Sequence, residues 1–517
     1  MKPWIGDATD YGELEEDGLV ITNEIRDFLN IEKSYKYYVV APKGVGKTLF
    51  LRFKKQLYAK HHKRILEQDA KEDIYFIPKD LELDRTSSKI MLDNDRIEEL
   101  GGSIELWVNI WETSLNLSII KHLLTVYDPY YRVNLKNAFN MFLRRIPSEI
   151  KEISEEFEIN TPLGNLIEIL KLNDKQIRSL HSHQNYLDAV IKKIQSSVII
   201  FIDNVDEVFD SYLDNAFSKD IWFSSQIGLV MAIRTIIQSN PHINIFATIR
   251  KEAYQKLIET DRRALQFESE TLDINYTKTD LKKIFEKNIF RMDVADLKDP
   301  TLLKKLPFYS FLGLKEINSG EDIFDYILRH TLKRPRDLMK IGEALQNGSV
   351  EEREERNIRD IVNNTADKIA SAYLKEMKPF TSIIDFDQVF KLINSNILRY
   401  SDVKKICSIY NKEAIEYCSE RDMCRSCMRH HIFCDLYRIG LLGIIEDARD
   451  EDSDEEVQSF SGLGEKNWSI KTLPESKYYL LHPILNHTMI NRNKRIIIGD
   501  GYLWTEPESI NTQCNII

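Results

Sequence analysis

The chain has 517 residues, 43% hydrophobic and 30% charged, which is enough for about two to four hydrophobic cores rather than one. A formal net charge of −11 argues against capture of nucleic acid by bulk electrostatics. The N-terminus lacks the apolar stretch of a secretory signal, no apolar run reads as a membrane span, and six cysteines in so long a chain suit a reducing compartment, so a cytoplasmic protein is expected.

In chain order, the first predicted element is an amphipathic helix near 23–30 that Thr22 is placed to cap. Residues 37–54 then read as a buried strand, a glycine-containing loop and the first turns of a helix. The loop follows the phosphate-binding pattern G-x-x-x-x-G-K-[ST], with Ala41 in place of the first glycine. In that arrangement the backbone of Lys43, Gly44, Val45, Gly46, Lys47, Thr48 and Leu49 surrounds the β-phosphate. Lys47 reaches the β/γ-phosphates and the Thr48 hydroxyl holds Mg²⁺. The bound nucleotide is expected to be ATP.

Ile74–Pro78 reads as a further strand. From about 80 to 185 the pattern is helical, with Trp107 and Trp111 on one face as core residues. Lys47 and Asp203 lie much further apart than the two crossover units of ~30 residues that a minimal phosphate-loop core needs, so this stretch is a helical insertion. Ser197–Ile202 is a strand, placed beside the phosphate loop, that ends in Asp203. Asp203 fits the carboxylate that supports Mg²⁺, while Asp206 and Glu207, just beyond, are placed to orient or deprotonate an attacking water.

A long helix near 221–239 leads to a strand over Ile243–Arg250, whose end presents Thr248 and Arg250 toward a γ-phosphate. Residues 271–350 are expected to be helical. Within them Thr277-Lys-Thr-Asp280 mimics a guanine-reading motif, and Pro335 opens a helix running through Ile341 and Leu345. The run Glu351–Arg356 reads as a solvated charged segment. Cys418, Cys424, Cys427, His430, His431 and Cys434 have two readings. Cys424, Cys427, His431 and Cys434 form a candidate Zn²⁺ set, and the alternative is a helix with partly buried cysteines. The last part, from about 376, reads as a winged-helix-like domain: a helix ending at Gly440 or Gly443, a short strand, a long loop and a strand near Tyr478. The loop over 446–456 carries eight carboxylates against one arginine and is expected to be disordered. Such a wing repels phosphate backbones.

Together, Lys43-Gly-Val-Gly-Lys-Thr48, Ile202-Asp-Asn-Val-Asp-Glu207, Ala247-Thr-Ile-Arg250 and Arg334-Pro-Arg-Asp-Leu338 resemble the STAND and origin-recognition-like branch of AAA+ ATPases. More narrowly they resemble bacterial P-loop ATPases of antiviral-defence and mobile-element loci. The resemblance implies an α/β parallel-sheet core over 1–270, a helical lid over 271–375 and a winged-helix-like domain over 376–517. It makes Asp206 the first choice for water activation, Glu207 the second, Arg250 a sensor arginine and Arg336 a lid sensor, with Lys333 where the family pattern has glycine. Arg262 and Arg263 are arginine-finger candidates by position.

The function expected is an Mg²⁺-dependent ATPase working as a nucleotide-driven switch that controls homo-oligomer assembly or a separate effector. An alternative is a DNA-associated loader using the winged helix and the basic stretches at Arg52–Lys63 and 491–495. Further readings are a GTPase, disfavoured because no Asp-x-x-Gly follows the acidic strand, and a nucleotide-binding scaffold with little turnover.

Overall fold

The computed structural model describes residues 16–32, 35–67, 100, 103–126, 129–145, 162–195, 197–209, 219–260, 264–290, 322–347, 355–381, 385–414, 432–447, 456–460, 473–494 and 496. The chain divides into two compact units, Ile21–Ile274 and a second made of Met1–Val20 with Asn275–Ile517.

The first unit is α/β. Its helices are α1 (Asn23–Leu29), α2 (Lys47–Glu67), α3 (Ile104–Val126), α4 (Pro129–Arg145), α5 (Pro162–Leu170), α6 (Asp174–Ser182), α7 (Asn185–Ile191), α8 (Val205–Val208), α9 (Lys219–Ser239), α10 (Lys251–Thr260) and α11 (Ala264–Ser269). The strands are β1 (Tyr38–Ala41), β2 (Val198–Ile202), β3 (Ile243–Arg250) and β4 (Thr271–Asp273). They form one parallel sheet in the order β2-β3-β1-β4. Every residue of β1 and β2 is buried, as expected of apolar runs covered on both faces.

Alternation along β3 sorts the two faces. The Phe246 ring lies 5.5 Å from Phe201, 6.0 Å from Tyr58 on α2 and 6.0 Å from Phe28 on α1. Lys54 enters this aromatic layer. Its ammonium stands 4.2 Å from the Phe246 ring centre and 4.3 Å from that of Phe28, and it donates to the Phe28 carbonyl. Burial pushes its pKa down to about 7. On the other face the Tyr38 hydroxyl donates to the Val230 carbonyl of α9 at 2.9 Å. Thr22 caps α1 as expected, accepting from the Ile25 N–H.

Helices α3 to α6 fall within the expected insertion and α7 closes it, and both tryptophans are fully buried. Trp111 donates to the Ser225 carbonyl at 2.8 Å and Trp107 stands edge-on to Phe209, 5.3 Å away. α3 crosses α9 at Gly228, where an added Cβ would lie 2.6 Å from Trp107 Cβ and 2.9 Å from its carbonyl carbon.

Three expectations change. Residues 271–273 are not helical but form β4, the edge strand that pairs with β1. Three residues, Thr-Leu-Asp, are too few to show a period. The acidic strand is not next to β1 either, because β3 runs between them. Finally, Asp220–Ser239 is long and apolar enough to cross a membrane by length and composition, although 67% of that window is buried here against protein. The strand expected at Ile74–Pro78 lies outside the described residues.

The second unit carries α12 (Lys278–Phe290), α13 (Ile323–Arg329), α14 (Pro335–Asn347), α15 (Glu355–Met377), α16 (Phe386–Leu392), α17 (Tyr400–Ala414), α18 (Ile432–Arg438) and α19 (Asn486–Ile490). Its strands β5 (Ile397–Arg399), β6 (Leu442–Asp447), β7 (Glu456–Phe460) and β8 (Tyr478–Leu481) form an antiparallel sheet in the order β5-β8-β6-β7. Gly440, at φ 76°, ends α18 as the expected terminating glycine. β5 and β7 add two strands to the expected pattern. The ends of the acidic run are strand residues, Glu446 and Asp447 pairing with Val457 and Glu456, and 448–455 lie outside the described residues.

Replacing Gly228 with alanine removes a helix-weakening residue but drives a methyl into the backbone of α3. The steric term dominates, and Gly228→Ala is expected to lower the unfolding free energy by about 2 kcal/mol in urea denaturation.

Candidate functional site

Parallel strands bring their carboxyl ends to one edge, and the residues singled out between 41 and 250 gather there. β1 ends at Ala41, in register with Arg250 on β3, and Val39 is in register with Thr248. The loop from Pro42 to Gly46 turns through Gly44 at φ 86° and Gly46 at φ 112°, both in the left-handed region that glycine tolerates best. α2 begins at Lys47, and Phe50 closes its first turn by donating to the Gly46 carbonyl at 3.2 Å. Lys43, Gly44, Gly46, Lys47, Thr48 and Leu49 are half-buried and Val45 is buried.

Lys47 folds back on its own loop, donating to the carbonyls of Ala41 at 2.9 Å and Pro42 at 3.3 Å. Burial pushes the pKa of its ammonium down to about 8; nearby Arg250 adds to this, and Asp206, Glu252 and Asp203 oppose it. The cation is therefore held by two neutral carbonyls, which an arriving phosphate can replace.

Asp203 follows β2 and is 4% exposed. It accepts a hydrogen bond from the Thr248 hydroxyl, and the Thr48 hydroxyl and the Asn204 backbone lie near enough to favour its charged form. Burial raises its pKa; those groups pull it back down, and Asp206 raises it further. Asn204 takes φ 59° and turns the chain from the strand into α8, which starts the exposure of Asp206 and Glu207. Thr248 of β3 thus meets the carboxylate at the end of β2, with Thr48 of α2 close enough to act on the same group. A hydroxyl and a buried carboxylate meeting beside a lysine at a helix start fit a hard, oxygen-ligated divalent ion such as Mg²⁺.

Arg250 is 3% exposed and saturated with carboxylates. Its Nε and one terminal nitrogen reach Glu252 at 3.1 and 3.2 Å, and its other terminal nitrogen reaches Asp206 at 3.4 Å. Gln226 of α9 accepts the Arg250 backbone N–H at 3.0 Å, fixing the end of β3. Alongside, Lys251 pairs with Asp273, joining the ends of β3 and β4. Asp206 is therefore committed to a cation, whereas the Glu207 side chain has no ion-pair partner among the described residues. Sequence reasoning missed Glu252 and Gln226, for which no motif exists; their roles follow from packing beside Arg250.

In the second unit Lys333, at φ 55°, adopts the left-handed conformation that glycine tolerates best. Arg334 is locked: it grips Asp337 with two nitrogens at 2.9 and 3.0 Å, reaches Glu376 at 3.5 Å and stands over the Tyr373 ring. Arg336, the second residue of α14, is half-buried and has no ion-pair partner among the described residues.

Some of the expected motifs serve the fold instead. Thr277 and Asp280 cap α12 reciprocally, with the Thr277 N–H donating to Asp280 at 3.0 Å and the Asp280 N–H to the Thr277 hydroxyl at 3.1 Å. The guanine-like motif is a helix cap. In the basic stretches, Lys54 is buried among rings, Arg492 is bonded to Asp387 at 2.5 Å and Lys494 holds the Lys391 carbonyl at 2.8 Å. Zinc finds no support. Cys424, Cys427 and His431 lie outside the described residues, as do Arg262 and Arg263, and no cluster of metal-ligating side chains occurs among the described ones. Cys434 is a buried thiol on α18 whose sulfur accepts the Leu473 N–H at 3.2 Å.

Neither a family model nor a curated protein matches this chain. The Walker-type ATPase PABY2304 of Pyrococcus abyssi is similar at 11% identity and TM-score 0.35, over 94% of this chain and 99% of that one. The ORC1 protein of Aeropyrum pernix, solved in complex with DNA, is similar at 13% identity and TM-score 0.33, over 88% of this chain and 94% of that one. The fold itself is a P-loop-type α/β core, by its parallel sheet and by the loop between β1 and α2.

Arg250→Ala leaves Asp206 and Glu252 without their buried cation. It is expected to lower the unfolding free energy by about 3 kcal/mol at neutral pH in denaturant titration.

Proposed function

We propose that the first unit binds ATP with Mg²⁺ and hydrolyses it. The observation that carries this reading is the gathering, at the carboxyl ends of β1, β2 and β3, of a loop that turns on two left-handed glycines and ends in Lys47 and of the buried carboxylate Asp203 held by Thr248. Lys47 exchanges its two carbonyls for phosphate oxygens, and the loop N–H groups supply further donors. Thr48 and Asp203 hold Mg²⁺, which when bound neutralises charge on the phosphates. Asp206 or Glu207 orients the attacking water and accepts its proton. Thr248 keeps Asp203 oriented, and Arg250 supplies positive charge beside the γ-phosphate.

We read the second unit as the responder. Arg336, uncommitted at the start of α14, suits an arginine that engages phosphate charge and so couples nucleotide state to a helical lid. The helices and antiparallel sheet from α16 onward suit a winged-helix-like module, with the β6–β7 hairpin as its wing. The acidic run in that hairpin favours a protein partner or a second copy over a phosphate backbone. On this reading the chain is a nucleotide-driven switch of the STAND or origin-recognition kind, and antiphage defence is the biological role its motif order suggests.

Single-turnover hydrolysis by the full chain, with mass in solution measured with and without ATP·Mg²⁺, tests the proposal. Lys47→Ala is expected to abolish binding. Asp203→Ala is expected to retain weakened binding and lose at least about a hundredfold in rate. Arg336→Ala is expected to leave stability unchanged and remove the ATP-dependent change in mass. A wild-type chain that neither binds nor hydrolyses ATP overturns the reading.

The titration of Lys47 gives a second check. Its pKa of about 8 in the nucleotide-free chain must rise beside phosphate, so binding takes up a proton above that pH. ATP affinity is expected to be flat below pH 8 and to fall by up to about tenfold per unit above it, read by calorimetry in buffers of differing ionisation enthalpy.

A further inference from the structure

Glu252 belongs to no recognised phosphate-loop motif, yet it holds Arg250 at 3.1 and 3.2 Å, nearer than Asp206 at 3.4 Å. It lies in the first turn of α10, its side chain is 3% exposed, and its two carboxylate oxygens take Nε and one terminal nitrogen of the same guanidinium. A carboxylate that grips two adjacent nitrogens of a planar group fixes the plane as well as the position. The remaining terminal nitrogen is treated differently. Its partner Asp206 is at 3.4 Å, on a side chain 13% exposed that stands at the mouth of the site. Of these two carboxylates, Glu252 holds the guanidinium through two nitrogens and Asp206 through one longer contact.

We infer that Glu252 is the positioning residue of Arg250. It anchors one edge of the guanidinium, so that only the nitrogen on Asp206 exchanges partners when a γ-phosphate arrives. While it stays on Asp206, that nitrogen neutralises the carboxylate and keeps it from an attacking water. The γ-phosphate, more highly charged than a carboxylate, takes the nitrogen and releases Asp206. ADP brings no such competitor, so the Asp206 pair persists. With Asp206 taken rather than Glu207 as the base, the group that is to be hydrolysed thereby uncovers it. The inference rests on the ATPase reading above and adds its gate.

The test uses the full chain as wild type, Glu252→Gln, Glu252→Asp, Arg250→Gln and the Arg250→Gln/Glu252→Gln pair. Single-turnover hydrolysis at saturating ATP·Mg²⁺ and ADP affinity by calorimetry are measured for each. Glu252→Gln is expected to slow hydrolysis about tenfold or more while ADP affinity stays within about twofold. Glu252→Asp is expected to recover part of the rate, and the double variant to be no slower than Arg250→Gln alone, since Glu252 acts through Arg250.

Wild-type rates in Glu252→Gln, a matching loss of ADP affinity, or additive losses in the double variant each overturn the inference while leaving the ATPase reading standing. If Glu252→Gln does not fold, Glu252→Asp decides; failure of both to fold shows an architectural role and also overturns it. A wild type that binds neither nucleotide overturns the ATPase reading and the inference with it.

Discussion

Parallel pairing of β3 with both β1 and β2 is the constraint on which the candidate site depends. It places the end of the phosphate-loop strand in register with Arg250 and sets Thr248 two residue pairs further in. It also puts Thr248 within reach of Asp203 at the end of β2. The buried carboxylate, the buried guanidinium and the loop lysine are thus held by backbone registers rather than by long flexible side chains. Burial then amplifies their mutual influence. Lys47 is driven toward neutrality, Asp203 is pushed upward, and Arg250 is tolerated in the interior because carboxylates surround it. Such a site has charge poised for a polyanion, with little rearrangement of main chain needed to meet it.

Around that edge the rest of the first unit acts as a casing. The aromatic layer of Phe28, Tyr58, Phe201 and Phe246 covers one face of the sheet, and α9 covers the other. The insertion adds a further helical layer, joined to α9 at the close crossing over Gly228. Gln226, two residues before that glycine, holds the Arg250 N–H. α9 therefore both packs against α3 and steadies the end of β3.

Much of this is legible in the sequence where a residue type has few physical uses. Paired glycines around Val45 before Lys47 and Thr48, and a continuous apolar run ending in Asp203, mark the loop, the strand and the carboxylate at once. Trp107 and Trp111 at helical spacing mark a core. The place of β3 in the sheet is not legible, because strand order is decided by crossovers between segments and leaves no local pattern. β4, β5 and β7 are too short or too polar to show a period. The partners of Arg250 escape for another reason: Glu252 is an ordinary helix-start glutamate until the fold turns it onto the guanidinium. Thr277 and Asp280 show the reverse, a motif whose letters serve a helix cap. The left-handed backbone of Lys333 is not legible either, because lysine carries no mark of it.

The sheet order also fixes when the site can come into being during synthesis. β1 is the first strand to emerge, but both of its neighbours, β3 and β4, are made after the insertion and β2. At roughly 5–20 residues per second the intervening ~200 residues take on the order of 10–40 s. For that interval a wholly apolar strand and a phosphate loop have nothing to pair with. The chain thus carries a window of vulnerability to mispairing, set by its topology. The site becomes complete only once β3 and the first turn of α10 have been delivered.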